Sequence, residues 1–251
     1  MAKADGIALR VQESTEPTGT AGIYIDAAGR NSIVIGPGAN ASLTADFVRG
    51  QADVLGEAAV VLAQLESPRE AVLEALVRGR AAGAIAMLNP APANAELDAA
   101  LLAACDLVTP NETEFAALLA AHTGRRLEPD AIGTLDEAAL HEACRALLPH
   151  GTVVVTLGQA GAFVSHGDAA RHHDVASSYR VASERVKAID TTGAGDAFNG
   201  ALAARLALGD TRPFSDHVQF ANRYAALSVE SPGAAASMPR LEVVQARFGH
   251  R

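Results

Sequence analysis

The chain has 251 residues, 49% of them hydrophobic, a net charge of −9 and two cysteines. That length buries the core of one ordinary domain, and the acidic balance repels polyanions, which excludes nucleic acid as a partner. No apolar run reaches the roughly 18 residues of a bilayer span, and MAKADGIALR lacks the apolar core of a signal peptide. Cys105 and Cys144 stand without a CxxC or Cys/His spacing, so buried free thiols in a cytoplasmic protein are expected.

Residues 18–26 (TGTAGIYID) and 32–36 (SIVIG) are β-prone runs joined by the turn-rich AAGRN, which predicts a hairpin. Apolar runs then alternate with longer Ala/Leu/Glu/Arg stretches: AAVVLAQLE, SPREAVLEALVRGRAAG, AIAMLN, a helical 96–104 and DLVTP. That alternation implies a parallel sheet flanked by helices. It continues through helices at 112–121 and 136–148, an unbroken apolar strand at 152–157 and a strand at 162–165 with a β-rich excursion to 175. The sheet is therefore expected to be mixed at one edge. A strand around 185–189 is expected to meet a glycine turn, followed by helices at 196–208, 214–230 and 241–248. Neither an internal repeat nor a domain linker interrupts 1–251, so a single domain is expected.

In open α/β sheets, ligands sit beyond the carboxyl ends of the strands. There the run Asp190-Thr191-Thr192-Gly193-Ala194-Gly195-Asp196 brings a strand end through a glycine turn into a helix that begins at an acidic residue. Such a turn presents backbone N–H groups at a helix N-terminus. Phosphoryl transfer needs donors where charge gathers and a carboxylate for the acceptor hydroxyl's proton. Gly193, Ala194 and Gly195 supply donors and Asp196 the base; the competing reading is an Asp that only caps its helix.

Asn111 and Glu114, in TPNETE, have the spacing of a capping box and equally of a nucleotide-facing pair, with Glu114 holding Mg²⁺ through waters. Thr156, Gly158 and Gly161, in TLGQAG, read as a hairpin turn or as a place where backbone approaches a nucleotide. Glu66 ends a strand at the same edge, solvated or bound to a sugar hydroxyl. His172 and His173, adjacent on an expected strand, point to opposite faces and are read, with Asp174, as exposed surface rather than a metal site.

Taken in order, QLESP, LNPAPA, TPNETE, TLGQAGA and DTTGAGDAFNGAL resemble the ribokinase family of carbohydrate kinases, the PfkB-type kinases, along nearly the whole chain. The resemblance implies a ribokinase-like α/β fold: a central, mostly parallel sheet flanked by helices, with a β-hairpin lid at about 18–36. It implies ATP-dependent phosphorylation of a pentose primary hydroxyl, D-ribose to ribose 5-phosphate, with Asp196 as base and the amides of Gly193 to Gly195 as anion hole. Glu66 would contact the sugar. Asn111, Thr156, Gly158, Gly161 and Gly195 would approach ATP, Asn222 would lie near the adenine, and Glu114 would organise Mg²⁺. A loop binding K⁺ or another monovalent cation would correspond to Asp190, Thr192, Ser228, Ser231, Gly233 and Ser237, and a homodimer would form through the lid hairpin. Family members begin with strands carrying an Asp and a Gly-Gly motif that grip the sugar, and GPGAN at 36–40 is not that motif. The fold is therefore expected to lack N-terminal strands, about two βα units of about 30 residues each. Alternatives are a kinase for fructose, 2-keto-3-deoxygluconate or a nucleoside, or a truncated module that binds nucleotide without catalysis.

Overall fold

The computed structural model describes residues 2–25, 31–93 and 97–249. After an extended, exposed lead, β1 (Thr20–Ile25) and β2 (Asn31–Gly36) form the expected antiparallel hairpin, with Thr20 opposite Gly36. Residues 26–30 of its connection lie outside the described residues. Tyr24, Val34 and Ile35 are exposed on it. Two short helices, α1 (Ala45–Arg49) and α2 (Ala52–Glu57), lead into the main body. The Thr44 hydroxyl caps α1 by accepting from Phe47 N at 3.1 Å.

The chain then alternates: β3 (Val60–Ala63), α3 (Arg69–Ala81), β4 (Ile85–Leu88), α4 (Ala99–Ala103), β5 (Leu107–Val108), α5 (Glu112–Thr123), α6 (Pro129–Ile132), α7 (Glu137–Leu147) and β6 (Thr152–Thr156). The helical expectation for 96–104 holds from Asp98, whose carboxylate caps α4 at Leu101 N, 2.9 Å; residues 94–96 lie outside the described set. The sheet closes with β7 (Ala162–His166) and β8 (Ser178–Val181), followed by α8 (Ala194–Ala207), α9 (Phe214–Ser228) and α10 (Leu241–Phe248).

Strand order follows chain order, β3-β4-β5-β6-β7-β8. The pairs from β3 to β6 are parallel, and β7 and β8 are antiparallel, the mixed edge the sequence predicts. The parallel strands are nearly all apolar because helices cover both faces. On β6, Val153 and Val155 join a core with Leu76, Phe115, Leu119 and Leu140, while Val154 faces Phe198, Leu202, Phe214 and Val218 of α8 and α9. The period-two alternation of strand side chains thus divides one valine run between two cores. Cys105 and Cys144 are buried free thiols, both pushed up to about 12 by burial.

Two expectations are corrected. No strand forms at 185–189: Ile189 is 62% exposed, and its amide donates to Val229 O at 2.7 Å in a loop. The last strand is instead β8, whose polar SYRV reads poorly as a strand because it pairs on one side only, with β7. Nor does the His172-His173-Asp174 run lie on a strand, and of the three only His173 is exposed. It lies at the end of a 3₁₀ turn, Ala169–His172, and the Asp174 side chain is only 4% exposed, bonded to His166 Nε2 at 3.0 Å and to the Tyr179 hydroxyl.

Candidate active site

Because β3 to β6 run parallel, their carboxyl ends share one edge of the sheet, and the polar motifs gather there. Pro110 O accepts from Thr156 N at 2.9 Å, and Asn111 and Thr156 continue the parallel ladder as a bridge beyond β5 and β6. Glu66 lies past β3, exposed, in a turn tied to the loop after β4 through Leu65 N to Ala91 O at 2.9 Å.

The glycine turn entering α8 is held by Asp190. Its Oδ1 accepts from Thr192 N at 2.9 Å and its Oδ2 from Gly233 N at 2.8 Å, bonds that hold the carboxyl below the usual carboxylate range. Gly193 sits at φ 80°, and an added Cβ would crowd Ala234 and Met238 at 3.2–3.3 Å. Both the left-handed backbone and the close approach require glycine there. Among the described residues, the amides of Gly195 and Asp196 have no backbone acceptor, as the first turn of a helix dictates, while Ala194 N donates to Thr191 O at 3.2 Å. The Asp196 side chain is exposed beside these open donors. The structure thus places a carboxylate next to free N–H groups at the positive end of a 14-residue helix.

Asn111 and Glu114 form the full capping box: Asn111 Oδ1 accepts from Glu114 N and Glu114 Oε2 from Asn111 N, both at 2.9 Å. Glu114 is buried, and that burial raises its carboxyl pKa against the lowering effect of the Asn111 bonds. Oε1 is not engaged by the box, so a hard oxygen donor remains for a hydrated divalent cation. The turn between β6 and β7 is a hairpin in which Gly161, at φ 93°, is forced: an added Cβ would lie 2.0 Å from Val181 O. Gly158, at φ 53°, borders open space. Asn222 is buried, its amide donating to Val181 O at 3.1 Å and Ala182 O at 3.4 Å.

Of the residues expected to form a cation-binding loop, Asp190, Thr192 and Gly233 are brought together by the Asp190 carboxylate. The Ser228 and Ser237 side chains are buried, and their hydroxyls donate to Ala225 O and Ala234 O, each at 2.8 Å, which fixes where the hydroxyl oxygens point. Ser231 is exposed in the same loop.

Sequence reasoning passes over Thr109 and Asn199, which are 2% and 4% exposed and hydrogen-bonded to each other across 90 residues. The available signal was a polar side chain on each of two otherwise apolar stretches, DLVTP and AFNGAL.

Residues 1–241 match the family model described as "pfkB family carbohydrate kinase". The chain is 35% identical over 236 residues to the ribokinase of Staphylococcus aureus and 36% over 223 residues to that of Mus musculus, covering 93% and 88% of this chain and 71% and 64% of those proteins. It is also 35% identical over 228 residues to the deoxyribokinase of Salmonella typhi, covering 90% of this chain and 67% of that protein. Among solved structures it superposes on ribokinase from Thermotoga maritima with TM-score 0.77 at 32% identity, covering 97% of this chain and 73% of that one. Ribokinase from Arabidopsis thaliana, complexed with ribose and ATP, gives TM-score 0.72 at 26% identity, covering 92% and 69%. The chain belongs to the pfkB family of carbohydrate kinases.

Proposed function

We propose that the protein transfers the γ-phosphoryl group of ATP to the primary hydroxyl of a pentose, D-ribose, giving ribose 5-phosphate and ADP. The observation that carries this reading is the exposed Asp196 carboxylate beside the open amides of Gly195 and Asp196, at the carboxyl edge where Asn111 and Thr156 also stand. Asp196 accepts the hydroxyl proton as the sugar oxygen bonds to phosphorus and the bond to the departing ADP oxygen breaks. The amide of Gly193 and the open amides of Gly195 and Asp196 stabilise charge on the transferring oxygens, while that of Ala194 is given to Thr191 O. Asn111, Thr156, Gly158 and Gly161 line the nucleotide side. Asn222 supports the adenine end by holding the end of β8.

Glu114 would hold hydrated Mg²⁺, which supplies charge neutralisation on the phosphates when bound. Asp190, Thr192, Ser228, Ser231, Gly233 and Ser237 would surround K⁺ through oxygen atoms. Glu66 would contact the sugar, and residues 1–251 act as one kinase domain. The exposed Tyr24, Val34 and Ile35 support pairing of two hairpins in a homodimer. Among the described residues no helix is long and apolar enough to cross a membrane, in keeping with a cytoplasmic sugar kinase.

The likeness to the Salmonella deoxyribokinase favours a second reading, 2-deoxyribose as acceptor. ADP release should be followed with ribose, 2-deoxyribose, fructose and nucleosides, with Asp196→Asn as control. Turnover with ribose that the substitution abolishes is expected. Sugar-independent ADP release, or full activity of Asp196→Asn, overturns the proposal.

A further inference from the structure

Among the described residues, buried polar groups outside the proposed chemistry occur at His217 of α9, near Asp210, and in three further hydrogen-bonded places. The first is the His166, His172, Asp174 and Tyr179 cluster at the opposite, amino end of β6; the second is Arg145 with His141 on Ser165. The third is the pair Thr109 and Asn199, and it alone lies between the two halves of the candidate site.

Thr109 is the first residue past β5 and stands two residues before Asn111. Asn199 is on α8, four residues after Gly195 and three after Asp196. Its side-chain orientation is fixed by its partners. The Gly195 carbonyl can only accept, so it takes the Nδ2 donor at 2.9 Å, which leaves Oδ1 facing Thr109. The Thr109 hydroxyl donates to that Oδ1, with Leu88 O more distant at 3.4 Å. One hydroxyl and one amide therefore connect the end of β5 to the carbonyl of Gly195, the residue before Asp196. On the other side, the Pro110 that follows Thr109 accepts from Thr156 N at 2.9 Å, so the link continues into β6. Both side chains are excluded from water, and a buried amide oxygen that loses its donor has no replacement.

We infer that Thr109 and Asn199 are positioning residues whose buried hydrogen bond sets the anion-hole turn of α8 at a fixed distance from the strand end that carries Asn111 and Glu114. The assignment of the two ends to acceptor and nucleotide rests on the kinase reading above; the mechanical tie rests on geometry alone. Alignment of nucleophile and phosphoryl group is sensitive to shifts on the order of 1 Å. Loss of the tie should therefore lower kcat while leaving ATP affinity, determined by contacts on the other side, close to its original value.

The test uses Thr109→Val, which keeps shape and removes the hydroxyl, and Thr109→Ser, which restores it. Asn199→Ala and the double variant complete a cycle. One readout needs no turnover: hydrogen exchange at Ala197, the first amide of α8 bonded to the residue four before it, Gly193 O at 2.8 Å. In Thr109→Val this amide should exchange about tenfold faster, with amides of α7 unchanged and Thr109→Ser at the parent rate. In steady-state assays with ATP and ribose, Thr109→Val should lose about ten- to a hundredfold in kcat with KM for ATP within about threefold, and the serine variant should recover it. The double variant should be no worse than Asn199→Ala alone. Unchanged exchange at Ala197 in both Thr109→Val and Asn199→Ala overturns the tie, as do a serine variant as impaired as the valine one and additive losses in the cycle. A parent protein that turns over no pentose but shows the exchange response and its rescue removes the kinase reading and supports the tie.

Discussion

Gly193 packs so closely on Ala234 that a Cβ added to it would lie 3.2 Å from the alanine methyl, whereas a Cβ added at Gly195, two residues on, would meet no atom within 4 Å. Gly193→Ala should therefore lose about 1–2 kcal/mol of stability, from the left-handed backbone as well as the contact. Gly195→Ala should be neutral or gain about 0.5–1 kcal/mol in the helix. Its methyl group projects where the transferred oxygens are proposed to lie, so phosphorylation should fall about tenfold or more despite the intact fold. Thermal unfolding and ADP release, measured on the same preparations, separate the two; a fully active Gly195→Ala removes the turn from the mechanism.

Glu114 has a structural and a proposed functional role that one substitution divides. Glutamine retains an oxygen for the Asn111 amide, so Glu114→Gln should keep the capping box and hold stability within about 0.5 kcal/mol. It also removes the negative charge that a hydrated Mg²⁺ would meet. The Mg²⁺ concentration giving half-maximal activity should rise about tenfold or more. Equal Mg²⁺ dependence in the two proteins assigns Glu114 to capping alone.

Asp190 ties the glycine turn to the loop at Gly233, and both backbone bonds lower its pKa. A carboxyl depressed in the folded state stabilises the fold above its unfolded pKa and loses that contribution as pH falls through the folded one. Acid below about pH 4 should therefore loosen the 190–193 and 229–233 segments together. Asp190→Ala should show the same loosening at neutral pH, read by hydrogen exchange in both segments.

His166 is buried, stacked on His172 with centroids 5.0 Å apart and set edge-on to Phe214 at 5.2 Å. Burial lowers its pKa, opposed by Asp174, while Arg145 and His141 lower it further. His172 and the Tyr179 hydroxyl complete the surroundings, and Thr152 Oγ1 bonds both imidazoles, at 2.9 and 3.0 Å. A histidine depressed in the fold takes up its proton first in the unfolded chain. Stability should then decline as pH falls below the ordinary histidine value of about 6.5 and level off once the folded pKa is passed. His166→Gln should flatten the unfolding midpoint between about pH 7 and 5; an unaltered slope places the dependence elsewhere.

Much of the architecture was legible because periodicity carries it. The VVVT run declared a strand covered on both faces, and the β/α alternation fixed a parallel sheet whose carboxyl edge collects Asn111, Thr156 and Asp196. Local capping chemistry was legible as well, since Asn111 and Glu114 lie three residues apart and need no partner from elsewhere. What escaped depends on contacts distant in sequence. β8 is polar because Arg180 reaches across to Leu135 O at 2.7 Å and lies over the Phe163 ring, and no local pattern reports that. The alternating apolar residues of 185–189 imitate a strand, yet their backbone binds the end of α9. His172 was misplaced because its partial burial comes from a 3₁₀ turn and from stacking on His166, neither visible in the pair of adjacent histidines. Thr109 and Asn199 each look ordinary until the fold brings them together.

The Asn111–Glu114 capping box also bears on how a decaying kinase of this kind would look. Each of the two residues stabilises the helix through the other, so helix stability alone would retain them long after phosphoryl transfer had ceased to matter. An intact NxxE segment is therefore poor testimony to activity. The informative position is one where the fold makes no demand, and drift away from glycine at 195 would be the earlier sign that a chain had stopped handling phosphate.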